Sequence, residues 1–122
     1  MTGKLYIVGV GPAHHEHMTF RAMEVITESA TIVGSESYVN LVQDLIEGKT
    51  VYRYAMTQEV ERAHQCIDLA KSGKIVSLVS SGDPGIYGMA GLIYETLAES
   101  GWNPKEGLQV EIVPGVSALN SC

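Results

Sequence analysis

The sequence predicts an α/β fold: a five-stranded, mostly parallel sheet with helices on both faces. Short runs rich in β-branched and aromatic residues alternate with segments of helical periodicity along the chain, which is the pattern of β-α-β units. The run "KIVSLV" at 74–79 is nearly all apolar, as expected of a central parallel strand that is covered on both faces. With 122 residues, the chain has the size of one domain, spanning 1–122.

The first half of the chain predicts two β-α units. A strand over 4–10 ends at a Gly-Pro pair, and Thr19 is a candidate cap for a helix over 20–29. The apolar residues at helical spacing in that helix are Phe20, Met23 and Ile26. A short strand over 30–34 and a helix over 38–47, with Gly48 at its stop, make the second unit.

The second half continues the alternation. After a strand over 50–54, Thr57 is a candidate cap for a helix that ends at Gly73. The predicted buried stripe of this helix consists of Val60, Ala63, Ile67 and Ala70. The remaining predicted elements are the strand 74–79, a helix over about 86–100 that ends at Gly101, and a strand over 108–113.

Composition and charge restrict the class of protein. The net charge is −6 and the eight Lys and Arg residues are scattered, which argues against a nucleic-acid-binding surface. No apolar run is long enough to span a membrane, and the N-terminus lacks the features of a signal peptide. Cys66 and Cys122 show no pairing pattern, so we expect reduced thiols in a cytoplasmic protein.

Glycine and proline cluster at the ends of three predicted strands, at 9–12, 81–85 and 114–117. Each cluster alone is typical of an ordinary turn, but in a parallel sheet all three lie at the edge where ligands bind. Such loops offer backbone N–H and C=O groups rather than side chains. The first loop is a poor dinucleotide fingerprint, because His14 replaces its third glycine and Pro12 lacks an N–H. The three loops therefore favour a nucleoside ligand whose binding does not need the dinucleotide fingerprint.

Four segments carry a resemblance to a known family: "GVGPAHHEHMT", "YAMTQEVERA", "VSLVSSGDPGIYGMAGL" and "VPGVSA". In order and spacing they resemble the tetrapyrrole methylase family of S-adenosylmethionine-dependent methyltransferases. Family members have two α/β domains with cofactor and substrate in the cleft between them, and are roughly twice this length, within the usual range for two domains. The resemblance therefore implies that 1–122 is the N-terminal half of such an enzyme, with the C-terminal domain absent and this half alone inactive.

The resemblance also implies the site and the reaction. Its cofactor contacts fall on Pro12, Ser81, Gly82, Asp83, Ile86, Ser117 and Ala118. It implies S-adenosyl-L-methionine as the cofactor, with S-adenosyl-L-homocysteine as its product. The implied reaction is C-17 methylation with ring contraction of a corrinoid precursor, precorrin-3B or cobalt-factor III, in cobalamin biosynthesis. Family members commonly form homodimers.

Several alternatives stay open at this stage. Another methylase of the same superfamily, of the diphthine synthase or ribosomal RNA methylase type, would share the cofactor loops, and a non-catalytic nucleotide-binding module would share the sheet. Asp83 is either a cap of the following turn or a cofactor contact. The tract 14–17, rich in histidine, is interpreted as a solvated loop, and no metal site is expected. Tyr54 and Met56 are candidates to face the macrocycle, while the acid–base residues are not assigned.

Overall fold

The structure, a computed structural model, is a parallel sheet whose order explains where a ligand can bind. It describes residues 3–10, 19–55, 57–80, 83–102 and 107–114. Along the chain the elements are β1 (Lys4–Gly9), α1 (Phe20–Glu28), β2 (Thr31–Ser35), α2 (Glu36–Leu41), a 3-10 turn (Gln43–Leu45), β3 (Thr50–Tyr54), α3 (Glu59–Lys71), β4 (Ile75–Ser80), α4 (Asp83–Glu99) and β5 (Gln109–Val113). The five strands lie in the order β3-β2-β4-β1-β5, and each neighbouring pair is parallel. The predicted fold class is confirmed.

The strand order contains a reversal between β1 and β4. After β1 the chain passes through α1 and crosses the sheet towards β3, reaching β2. After β4 it passes through α4 and crosses the sheet in the opposite direction, reaching β5. Because β1 and β4 are neighbours, their carboxyl ends flank a topological switch point, which is where open parallel sheets bind ligands.

Helices cover both faces of the sheet, as the sequence predicts. One core cluster joins the sheet to α3 and α4, and the other joins it to α1 and α2. Connections between parallel strands are right-handed. The chain crosses the sheet in one direction from β1 to β2 and in the opposite direction from β4 to β5, so α1 and α4 lie on opposite faces. Strand β4 is central and buried from Val76 onward, but Ile75 at its start is 40% exposed. Its apolar run therefore belongs to a strand covered on both sides.

Helix α1 confirms the predicted cap, and its regularly spaced apolar residues differ in burial. The Thr19 side chain accepts a hydrogen bond from the backbone N–H of Ala22 at 3.0 Å. Ile26 is fully buried, yet Phe20 is 88% exposed. Phe20 shares the helical spacing of Ile26 but lies in the first turn, where the spacing alone does not ensure burial.

The middle helices differ more from their predictions. The predicted helix 38–47 is the shorter helix Glu36–Leu41 followed by the 3-10 turn Gln43–Leu45. Thr57 was wrongly predicted as a cap: Gln58 precedes α3, and its side-chain oxygen instead accepts the N–H of Ala55. Val60 was wrongly placed in the buried stripe, because it is 52% exposed at the solvent side of the first turn.

Glycines end the elements where the sequence predicts. Gly48, Gly73 and Gly101 all have positive φ, at 83°, 102° and 83°, a conformation that costs other residues strain. Helix α4 begins earlier than the predicted 86, at Asp83, so 83–85 belong to its first turn rather than to a loop. None of the helices in the described part of the chain combines the length and hydropathy of a membrane span.

Candidate functional site

The candidate site lies where β4, β1 and β5 end side by side. Gly9 of β1 is paired with Ser80 of β4, and Val8 is paired with Val113 of β5. Beyond these pairs, the N–H of Val10 still donates to the carbonyl of Ser80 at 2.9 Å. The glycine-bearing loops that follow these three strands, called corners below, therefore start at the same end of the sheet, where the strands are hydrogen-bonded to one another. This confirms the prediction that the three loops begin at one edge.

Thr19 connects the start of α1 to the segment that follows β5. Besides capping α1, its hydroxyl donates to the backbone carbonyl of Pro114 at 3.3 Å, directly after β5. One side chain thus accepts a hydrogen bond from its own helix and donates one to the segment that leaves β5. The start of α1 and the end of β5 are held together at the ligand edge.

Arg62 connects α3 and α4 on the other face of the sheet. It is only 7% exposed, its Nη1 donates to the carbonyl of Ala55 at 2.8 Å, and its Nη2 lies 3.8 Å from the sulfur of Met89. It therefore joins the end of β3 to the second turn of α4. Sequence reasoning missed this residue, since it stands among exposed polar residues and the helical pattern alone gives no signal for it.

Ser35, the last residue of β2, is a buried hydroxyl at the same edge. It is 2% exposed, and its Oγ has no hydrogen-bond partner within the described part of the chain. It precedes α2 without forming a side-chain cap. A buried hydroxyl without a partner is costly and unusual, so it singles out the carboxyl end of β2.

Tyr54 is the last residue of β3, and its role in facing the macrocycle stays a prediction. Its ring packs against the cluster of α3 and α4, and its hydroxyl donates to Gln65 Oε1 at 3.2 Å. Burial raises the pKa of this phenol. The same residue also lines an open groove at the carboxyl end of β3. Met56, its predicted companion, lies outside the described residues.

The cofactor residues implied by the resemblance fall mostly outside the described residues. This applies to Pro12, Ser81, Gly82, Ser117 and Ala118. Asp83 and Ile86 lie in the first turn of α4, but their side chains are not among those described. The starting points of the loops are thus placed, while the contacts of these residues stay predictions.

The other candidate functional residues lie only partly within the described part of the chain. The histidine-rich tract 14–17 is outside the described residues, and His64 is exposed on α3. Among the described residues, no group of three or more His, Cys, Asp or Glu could hold a metal ion. Cys66 is a buried free thiol whose pKa is raised by burial, so it is not a reactive thiolate at neutral pH.

A parallel α/β sheet whose glycine-bearing corners follow adjacent strands defines a domain that binds its ligand beyond the strand ends. The chain belongs to the family of tetrapyrrole (corrin/porphyrin) methylases, whose model matches residues 4–122.

Individual relatives agree with this family. The chain is 48% identical over its full length to a cobalt-factor III methyltransferase of Priestia megaterium, of which it covers 23%. It is 38% identical over 93% of its length to a probable cobalt-factor III C(17)-methyltransferase of Salmonella typhimurium, covering 46% of that protein. The chain therefore spans less than half the length of either curated relative.

Solved structures show the same fold. The methyltransferase CobJ superposes with a TM-score of 0.79 at 31% identity, over 97% of this chain and 48% of that one. The uroporphyrin-III C-methyltransferase of Thermus thermophilus, solved with S-adenosylhomocysteine, gives a TM-score of 0.70 at 25% identity, over 96% of this chain and 46% of that one.

Proposed function

We propose that this chain is the cofactor-binding half of an S-adenosylmethionine-dependent methyltransferase that methylates C-17 of a corrinoid precursor in cobalamin biosynthesis. Cobalt-factor III is the favoured substrate, because both curated relatives carry that substrate in their names. The observation that supports the proposal best is the adjacency of β4, β1 and β5, whose glycine-bearing corners leave one edge of the sheet. Precorrin-3B is the alternative substrate of the same reaction.

The residues at this edge fit a ligand that is held largely by backbone groups. The corners implied to contact the cofactor contain Pro12, Gly82 and Ser117, which have little acid–base chemistry. The hydrogen bonds from Val10 to Ser80 and from Thr19 to Pro114 fix the bases of those corners. Fixed backbone donors and acceptors can orient a polar ligand without the entropy loss of long side chains.

Positioning is the main contribution that this half of the enzyme makes to methyl transfer. When bound, the cofactor supplies a methyl group that is already activated as a sulfonium. The chain's task is then to place donor and acceptor in line and to exclude water, and such positioning can lower a barrier by roughly 7–11 kcal/mol. The edge between β1 and β4 suits this role because its backbone is hydrogen-bonded up to the corners.

Calorimetric titration tests the cofactor assignment. We expect S-adenosylhomocysteine to bind the chain, and NAD and ATP to bind far more weakly. Binding of NAD without binding of S-adenosylhomocysteine would favour a different nucleotide-binding module on the same sheet. A methylase of the diphthine synthase or ribosomal RNA type would bind S-adenosylhomocysteine but not a carboxylated porphyrin, so titration with a porphyrin distinguishes it.

We further propose the assembly that this activity needs. Residues 1–122 would form the N-terminal domain, and turnover would require the second domain that completes the cleft in the family. A cytoplasmic homodimer is proposed on the same resemblance. Sedimentation of the purified protein tests the dimer, and a single species with the mass of one chain would contradict it.

A further inference from the structure

A groove of about 350 Å³ opens at the carboxyl ends of β2 and β3, beside the strands that carry the proposed cofactor corners. It is lined by Glu36, Ser37, Arg53, Tyr54 and Ala55. The groove is separate from the corners themselves, since β2 lies between β3 and β4. A large flat substrate held above β4 and β1 would extend over this groove.

Arg53 is the cationic group of the groove. Its side chain is exposed, and its Nη1 donates to the amide oxygen of Asn40 on α2 at 2.8 Å. None of the ion pairs formed between described residues involves Arg53. A guanidinium oriented by a neutral acceptor keeps its charge and further N–H donors for a carboxylate, which it can bind with two parallel hydrogen bonds.

Lys4, Arg21 and Lys49 are engaged elsewhere in the fold. Lys4 and Arg21 both pair with Glu111 of β5. The ammonium of Lys49 donates to the carbonyls of Thr27 and Ser29, each at 2.7 Å. In a chain with a net charge of −6, attraction of an anionic substrate must come from local groups, and Arg53 provides such a group at the ligand edge.

Glu36 adds a negative charge to the lining that also contains Arg53. A second anionic group in the same space would be repelled by Glu36. The groove therefore suits a single acidic side chain on a larger body, rather than a compact polyanion such as a phosphate cluster.

We propose that this groove binds one carboxylate side chain of the tetrapyrrole substrate, with Arg53 as the donor and Asn40 as the residue that orients it. The inference rests on the proposed function, because it takes the substrate class from there. It assigns a substrate-binding role to the end of β3, apart from the cofactor corners after β4, β1 and β5.

Porphyrin titration of charge-matched variants tests the proposal. The chain is titrated with uroporphyrin III, a polycarboxylated porphyrin, and the change in porphyrin absorbance is followed. In Arg53→Gln we expect affinity to fall about tenfold, as for the loss of a charged hydrogen bond that is partly exposed. Arg53→Lys keeps the charge but not the planar fork, so its affinity should be intermediate. Lys71→Gln, on the exposed end of α3, changes the net charge equally and should bind as the unchanged chain does.

The outcomes separate this inference from the proposed function. Equal porphyrin affinity for Arg53→Gln and Lys71→Gln would overturn the groove assignment, and so would the absence of saturable porphyrin binding by the unchanged chain. Calorimetry with S-adenosylhomocysteine should give the same Kd for all variants. If the unchanged chain does not bind S-adenosylhomocysteine but binds porphyrin in an Arg53-dependent way, the cofactor role is contradicted instead.

Discussion

At the scale of single residues, Ser35 and Ser77 make a natural comparison between two buried hydroxyls. Ser77 Oγ lies 2.6 Å from Ser29 Oγ and 3.4 Å from the carbonyl of Val25, so it is satisfied. Ser35 Oγ is equally hidden from water but has no partner within the described residues. A buried polar group without a partner loses its hydration and gains nothing in return.

Substituting these serines should therefore shift stability in opposite directions. We expect Ser35→Ala to raise the free energy of unfolding by about 1 kcal/mol, because a desolvated orphan is removed. We expect Ser77→Ala to lower it by about 1 kcal/mol, because a satisfied hydrogen bond is lost. Urea unfolding followed by circular dichroism measures both. A destabilised Ser35→Ala, similar to Ser77→Ala, would mean that Ser35 has a partner in the folded protein.

Single residues were also the level at which sequence reasoning reached least far. Thr19 was found as a cap because a hydroxyl before an apolar periodic segment is a local signal. Arg62 and Ser35 could not be found, since their burial depends on helices and strands that are distant in sequence. The residues implied to contact the cofactor came from motif resemblance, and the geometry of their loops is not a property that local patterns determine.

At the scale of secondary-structure elements, Gly34 determines how closely β2 packs in the sheet. A Cβ at this position would lie 2.5 Å from Cγ2 of Val79 on β4 and 3.1 Å from Cγ2 of Val39 on α2. Its backbone φ is not positive, so the requirement for glycine is steric. Because Gly34 precedes Ser35, this close contact also fixes the end of β2 at the ligand edge.

Gly34→Ala should destabilise the protein by about 1–3 kcal/mol, the usual cost of overpacking a core. If the contact with Val79 causes the loss, the same substitution should cost less in a Val79→Ala background, where the colliding methyl groups are absent. Thermal or urea unfolding of the two single variants and the double variant gives this coupling. Additive losses would show that the Val79 methyl groups are not the obstacle.

Element boundaries show which physical signals a sequence contains. The glycines that end helices and turns were placed correctly, because a positive φ is a local requirement met by Gly48, Gly73 and Gly101. The buried stripe predicted for α3 was wrong at Val60, and Phe20, at helical spacing in α1, is exposed as well. Periodicity identifies which residues share a face of a helix, but how far the sheet extends beneath that face is decided by tertiary packing.

At the scale of the whole molecule, the parallel sheet separates two edges with different roles. The amino edge carries the turn at Gly73, which leads from α3 into β4 with φ at 102°. At the carboxyl edge β4 ends at Ser80, and Gly82, two residues further along the chain, belongs to the proposed cofactor residues. The two glycines thus bracket one strand, and the proposal assigns ligand binding to one end of it alone.

Substitution of each glycine should reveal this polarity. Gly73→Ala forces a side chain into the left-handed region, so we expect it to lower the free energy of unfolding by about 1 kcal/mol or more. Its Kd for S-adenosylhomocysteine should not change, because the turn lies at the opposite end of β4. Gly82→Val should weaken that binding by at least about tenfold, since a branched side chain blocks close approach of the ligand to the backbone. Calorimetry and urea unfolding of the two variants give both quantities, and equal ligand affinities in the two would place the cofactor away from the carboxyl end of β4.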